Sequence, residues 1–256
     1  MSFDETAVSA AIVRGYHEKL LDRLTSDVLI VGAGPSGLVA AAHLAGQGRR
    51  VTVVEKRLTP GGGVWGGAMA MNEVVVQAAA RPLLEALGVR YRAAPADLYQ
   101  ADSIELASAL VLRALQQGAI VLNMLSAEDL CVHKDAVTGV VVNRTASAAP
   151  LPIDPLTLIA PAVIDATGHD AALVAMLRRR GLLQGTAGGE GPMHAEAGER
   201  FVVERTGQIH PGLWVCGMSV CATWGGPRMG PIFGGMLLSG RRVAEQIHQA
   251  LPAAGH

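Results

Sequence analysis

The sequence is poor in aromatic rings, which make up 4% of its 256 residues, and poor in charge, with 17% Asp, Glu, Lys and Arg. The formal net charge is −1, and no basic face or tail stands out, which argues against a nucleic-acid partner. The Arg178-Arg179-Arg180 triplet reads as a solvated helix end. Only three cysteines occur, Cys131, Cys216 and Cys221, and no CxxC pair is among them. That excludes a disulfide framework or a cysteine-based structural zinc site and suits a reducing compartment. No apolar run reaches the roughly 20 residues needed to span a bilayer. MSFDETAVSA lacks a basic-then-apolar leader pattern, so a soluble cytoplasmic protein is expected.

What is abundant is small and aliphatic. Half the residues are hydrophobic and 31 are glycine. One domain over residues 1–256 is expected, since no linker or internal repeat divides the chain. Residues 5–24 carry Val8, Ala11, Ile12, Tyr16, Leu20 and Leu21 at helical spacing, an amphipathic opening helix. Asp27–Val31 reads as a strand apolar on both faces, as buried parallel strands are. Leu38–Gly46 reads as a small-residue helix and Val51–Glu55 as a second strand. Further helices are expected at about 76–87, at Ser103–Gln117 and at Met236–Leu251. Strands are expected at Ala119–Leu122, Val140–Arg144 (part of a meander), Ala162–Asp165 and Leu213–Cys216. Residues 145–156 read as a connector and 183–192 as a glycine-rich loop. A polar, glycine-rich loop is expected after Cys216.

Between the first strand and its helix lies Gly32-Ala33-Gly34-Pro35-Ser36-Gly37. In this GxGxxG pattern Gly32 permits the tight turn and Gly34 lets backbone N–H groups approach a pyrophosphate. Gly37 lets the helix pack close. The helix N-terminus adds a positive dipole end for phosphates. Glu55, 18 residues after Gly37 at the end of the second strand, is placed to accept hydrogen bonds from ribose hydroxyls. Strand, loop, helix, strand and acid together point to a Rossmann-like α/β fold that binds an adenine dinucleotide. They leave open whether that is FAD or NAD, and whether it is coenzyme or substrate. A second glycine cluster, Gly61–Gly67, suggests more backbone lying against a ligand.

Several stretches together resemble the thiamine thiazole synthase family, especially its archaeal and bacterial members. They are DVLIVGAGPSG after the opening helix, EKRLTPGGGVWGGAM, IDPLTLIAPAVIDATGHDA, AEAGERFVVERTG, PGLWVCGM and PRMGPIFGGMLLSGRRVAEQI. The resemblance spans essentially the whole chain. It implies a glutathione-reductase-like fold with a central parallel sheet and a small β-meander. It also implies an enzyme of the glycosyl- or pentosyl-transfer type that consumes NAD. In the family, nicotinamide leaves, the ADP-ribose portion isomerises to a ketone and condenses with glycine, and sulfur uptake closes an adenylated thiazole carboxylate.

The resemblance assigns Asp154 and His169 as ligands of Fe(II), with Asp154 coming from a neighbouring copy in a homo-oligomer, an octamer among relatives. A carboxylate and an imidazole with open positions suit that metal. Read alone, Asp154 before Pro155 is an ordinary turn residue and His169 an ordinary loop residue. Arg228 corresponds to the arginine that holds the glycine carboxylate, a task its bidentate fork suits. Ser36, Glu55, Lys56, Gly63, Ala127 and Met218 match NAD-contact positions. Self-sacrificing members carry their donor cysteine two residues before the aspartate, where this chain has Pro152. Proline cannot surrender sulfur, so a sulfide-using enzyme of multiple turnover is expected. Competing readings are an FAD-dependent oxidoreductase, a ribose-bisphosphate isomerase and an inactive NAD- or thiazole-binding relative.

Overall fold

A computed structural model describes residues 3–145, 155–184 and 189–252. Asp154 and Pro152 lie outside the described residues, as does most of the connector. The chain opens with α1 (Glu5–Asp22), capped by Asp4, whose carboxylate accepts from the Ala7 amide at 2.8 Å. Strand β1 (Val28–Val31) leads through the glycine turn into α2 (Pro35–Gly46) and then β2 (Val51–Glu55). Next come β3 (Glu73–Gln77), α3 (Arg81–Leu87), β4 (Tyr91–Ala94), β5 (Leu98–Asp102), α4 (Ser103–Gln116) and β6 (Ile120–Asn123). A meander follows of β7 (Leu125–His133), β8 (Ala136–Arg144) and β9 (Leu156–Ile159). The chain then forms β10 (Ala162–Asp165), α5 (Ala172–Arg179), β11 (Gly191–Met193), α6 (Ala195–Glu204), β12 (Gly207–His210) and β13 (Leu213–Val215). It ends in α7 (Met218–Trp224), β14 (Pro227–Arg228) and α8 (Gly234–Ala250).

The central sheet runs β12-β13-β10-β1-β2-β6, all parallel except the antiparallel edge strand β12. This is the expected Rossmann-like α/β architecture, and β7-β8-β9 is the expected antiparallel meander. Along β1, Val28 and Ile30 enter the core under α2, α4 and α8, while Leu29 and Val31 enter the core under the meander and α5. Successive side chains point to opposite faces, so a strand covered on both sides must be apolar throughout. Each such fully buried aliphatic contributes roughly 1.5–3 kcal/mol.

Two expectations change. Residues 76–77 belong to strand β3, and the helix begins only at Arg81. Val74 and Val76 are buried on one face of β3 in a small sheet ordered β3-β5-β4, where the β-branched run Val74–Val76 favours a strand. The stretch after Cys216 is not a loop, because α7 begins at Met218. The opening helix forms as expected, with Leu20 packed partly buried against the core beside the meander while Ile12 and Leu21 stay exposed. Among the described residues no helix is long and apolar enough to cross a membrane.

Candidate dinucleotide and metal site

The C-terminal ends of the parallel strands open into one cavity of about 880 Å³. Ligands of doubly wound sheets bind at this edge, where neighbouring crossovers leave in opposite directions. Here β1 pairs with β2 on one side and with β10 on the other.

Gly32 has φ +107°, and a Cβ there would stand 2.3 Å from the Ala166 carbonyl oxygen, so only glycine makes this turn. Gly34 precedes Pro35 as the N-cap of α2, without a side-chain cap, and a Cβ on it would meet nothing within 4 Å. The uncapped first turn of α2 therefore faces open space, the setting a phosphate needs. Gly37 does not line the cavity. A Cβ there would lie 2.1 Å from the Gly32 carbonyl oxygen, so its absence lets the helix close onto its own loop.

Glu55 is 7% exposed at the end of β2. One carboxylate oxygen accepts from the Ala33 amide at 2.8 Å and the other from the Arg57 amide at 2.8 Å. The acid thus ties the glycine turn to the second strand while lining the cavity. Lys56 also lines it and reaches Asp170 across the opening at 3.3 Å. Ser36, Gly63, Ala127 and Met218 complete the cavity contacts expected from the sequence. Ser36 is buried, and Met218 is the first residue of α7.

His169 follows β10 in a turn organised by Asp165, which is fully buried. One Asp165 oxygen accepts from the Thr167 amide and hydroxyl and from the Ser219 hydroxyl. The other accepts from the Leu173 and Val174 amides in the first turn of α5. Five donors satisfy a charge that burial would otherwise make costly. Arg228 comes from β14 on the far side of the cavity. Glu190 joins the two: its carboxylate oxygens lie 2.6 Å from His169 Nδ1 and 3.1 Å from Arg228 Nε. Glu190 was not singled out from the sequence. Its one signal is being the sole charged residue in the glycine-rich stretch 183–192.

His169 and Arg228 therefore share a cavity with the glycine loop, and Asp154 lies outside the described residues. Among the described residues, no group of three or more His, Cys, Asp or Glu could hold a metal by itself. An imidazole backed by a carboxylate at Nδ1 does fit the chemistry of a metal-ligating histidine, with Nε2 left for the ion. None of the three cysteines lines the cavity, and all are free. Burial pushes the Cys216 and Cys221 thiols up to about 12. It also raises that of Cys131, with the Asp129 carboxylate adding to it.

The fold and site define a Rossmann-type α/β protein with an imidazole, an arginine and a carboxylate gathered in the cavity at the glycine turn. The sequence model of the Thi4 family matches residues 9–233, and the chain belongs to that family. It is 50% identical to a thiamine thiazole synthase of Thermococcus kodakarensis, over 96% of this chain and 98% of the relative. It is 48% identical to that of Thermotoga maritima, over 98% of this chain and the full length of the relative. The crystal structure of Thermovibrio ammonificans THI4 superposes with a TM-score of 0.94 at 43% identity, covering 98% of this chain and 99% of that one.

Proposed function

We propose that this chain is a thiamine thiazole synthase that builds adenylated thiazole carboxylate from NAD, glycine and sulfide with Fe(II), over many turnovers. Thiazole synthesis itself rests on family membership and on full-length relatives bearing that name. The observation that carries the finer reading is that His169 and Arg228 line the same cavity as the glycine turn. A dinucleotide bound there has its adenylate end clamped and its far ribose beside groups able to hold a carboxylate and a metal.

In this reading the first turn of α2 and the open face of Gly34 hold the pyrophosphate. Glu55 accepts from ribose hydroxyls with the lone pairs its two amide donors leave free. Arg228 offers its guanidinium fork to the glycine carboxylate. His169, with Asp154 from a neighbouring copy, holds the metal. Fe(II) held there would bind added sulfide and present it as a nucleophile for the ring closure. Multiple turnover is supported by Pro152 at the donor position and by the cysteines: among the described residues none lines the cavity, and burial raises the Cys216 and Cys221 thiols to about 12.

The test is anaerobic incubation with NAD, glycine, sulfide and Fe(II), followed by mass analysis of the small molecules. The adenylated thiazole and free nicotinamide are expected. FAD retained on purification, with no thiazole formed, would overturn the reading. His169→Ala is expected to abolish turnover while leaving NAD binding intact.

A further inference from the structure

We infer that Glu190 is a positioning residue that sets the tautomer of His169 and the orientation of Arg228 together. The inference rests on the reading above, which gives His169 to the metal and Arg228 to the glycine carboxylate.

The Glu190 side chain is 9% exposed, whereas those of His169 and Arg228 are 60% and 58% exposed. One carboxylate is thus committed to holding two heads that remain open to the cavity. A carboxylate only accepts hydrogen bonds, so the Nδ1 it contacts at 2.6 Å carries the proton. The neutral ring then has its lone pair on Nε2, which has no partner among the described residues. That is the nitrogen a divalent metal takes when a carboxylate stands behind the ring. With Arg228 the carboxylate forms an ion pair, its oxygen 3.1 Å from Nε, and leaves the terminal nitrogens for a substrate carboxylate.

The backbone explains why one acid can serve both. Strand β11 pairs in parallel with β14, Gly191 with Pro227 and Met193 with Arg228. The Gly191 amide donates to Gly226 at 2.8 Å and the His194 amide to Arg228 at 2.9 Å. The segment that carries Glu190 is therefore fastened along the segment that carries Arg228. A shift of the arginine toward an incoming carboxylate moves the acid that orients the imidazole.

The experiment has two arms. In metal-free protein, well above the imidazole titration range, nitrogen NMR of the His169 ring is expected to show Nδ1–H with bare Nε2. Glu190→Ala should shift the ring toward the Nε2–H form. In the second arm, Glu190→Ala should weaken cobalt(II) binding by about 10–100-fold and raise the KM for glycine, with the KM for NAD unchanged. Glu190→Leu, which keeps most of the side-chain volume but has no acceptor, serves if the alanine variant does not fold. Nε2–H in the wild type, or a variant that keeps the wild-type tautomer, cobalt affinity and glycine KM, would overturn the role of Glu190. Wild-type protein that shows no His169-dependent cobalt binding would instead overturn the metal assignment. The tautomer arm would still decide what Glu190 does.

Discussion

The Ala33 amide donates to the Glu55 carboxylate at 2.8 Å, so the acid at the end of β2 also shapes the glycine turn after β1. Glu55→Ala should lose the ribose acceptor and slacken the turn at once. An NAD dissociation constant at least about tenfold higher, roughly 1.4 kcal/mol, is expected by calorimetry. Glu55→Gln keeps a carbonyl oxygen and should lose less. Equal losses in the two variants would show that negative charge, not acceptance from Ala33, is what Glu55 supplies.

Two glycines of the turn should separate binding from folding. A Cβ at Gly34 meets nothing within 4 Å, whereas one at Gly37 meets the Gly32 carbonyl oxygen at 2.1 Å. Gly34→Ala should melt near the wild-type temperature yet bind NAD poorly, because the methyl occupies the space a phosphate needs. Gly37→Ala should lower the melting temperature itself. A Gly34→Ala protein with unchanged NAD affinity would place the pyrophosphate elsewhere.

Glu199 is buried under the N-terminus of α8, and burial raises its carboxyl from the ordinary 4.5 to about 7, with the Gly235 amide bond opposing the rise. A folded-state value above the unfolded one means that the native protein holds this proton more tightly. The stabilisation is present in full below about 4.5 and is lost as pH rises to about 7. Glu199→Gln keeps an acceptor for the Gly235 amide and removes the ionisation. Denaturant unfolding across this window should show a falling stability in the wild type and a flatter profile in the variant. The variant should be the more stable of the two above neutral pH.

Asp165 gathers the Thr167 turn, the Ser219 hydroxyl and the first turn of α5 on one buried carboxylate. Asp165→Ala leaves these donors unmatched and should cost on the order of 3 kcal/mol or more. His169 should lose its fixed position with it. Urea unfolding measures the first effect and cobalt(II) binding the second. A variant of wild-type stability would mean that α5 holds the turn without the acid.

Much of the cradle was legible in the chain because it is local. Gly32, Gly34 and Gly37 lie within one turn, and Glu55 ends the next strand of the same βαβ unit. Each reads as strand or helix from its own neighbours. The misreadings have equally local causes. The expected helix at about 76–87 took in Val76, but Val74 and Val76 alternate at the strand period and are buried in the β3-β5-β4 sheet. The glycines after Cys216 suggested a loop, but Gly217 and Gly225, both with positive φ, are the two ends of α7. Between them seven residues pack as a helix.

Glu190 marks the boundary between the two kinds of information. The sequence by itself determined the Rossmann unit, since glycine placement and apolar strands impose the same turn and the same buried sheet wherever they occur together. Only the tertiary structure decided that Glu190 would stand between His169 and Arg228. Those residues come from the end of β10 and from β14, and parallel pairing of β11 with β14 brings the acid to them. Such pairing is set by burial and by long-range hydrogen bonds rather than by the residues beside Glu190, so no local pattern announces it.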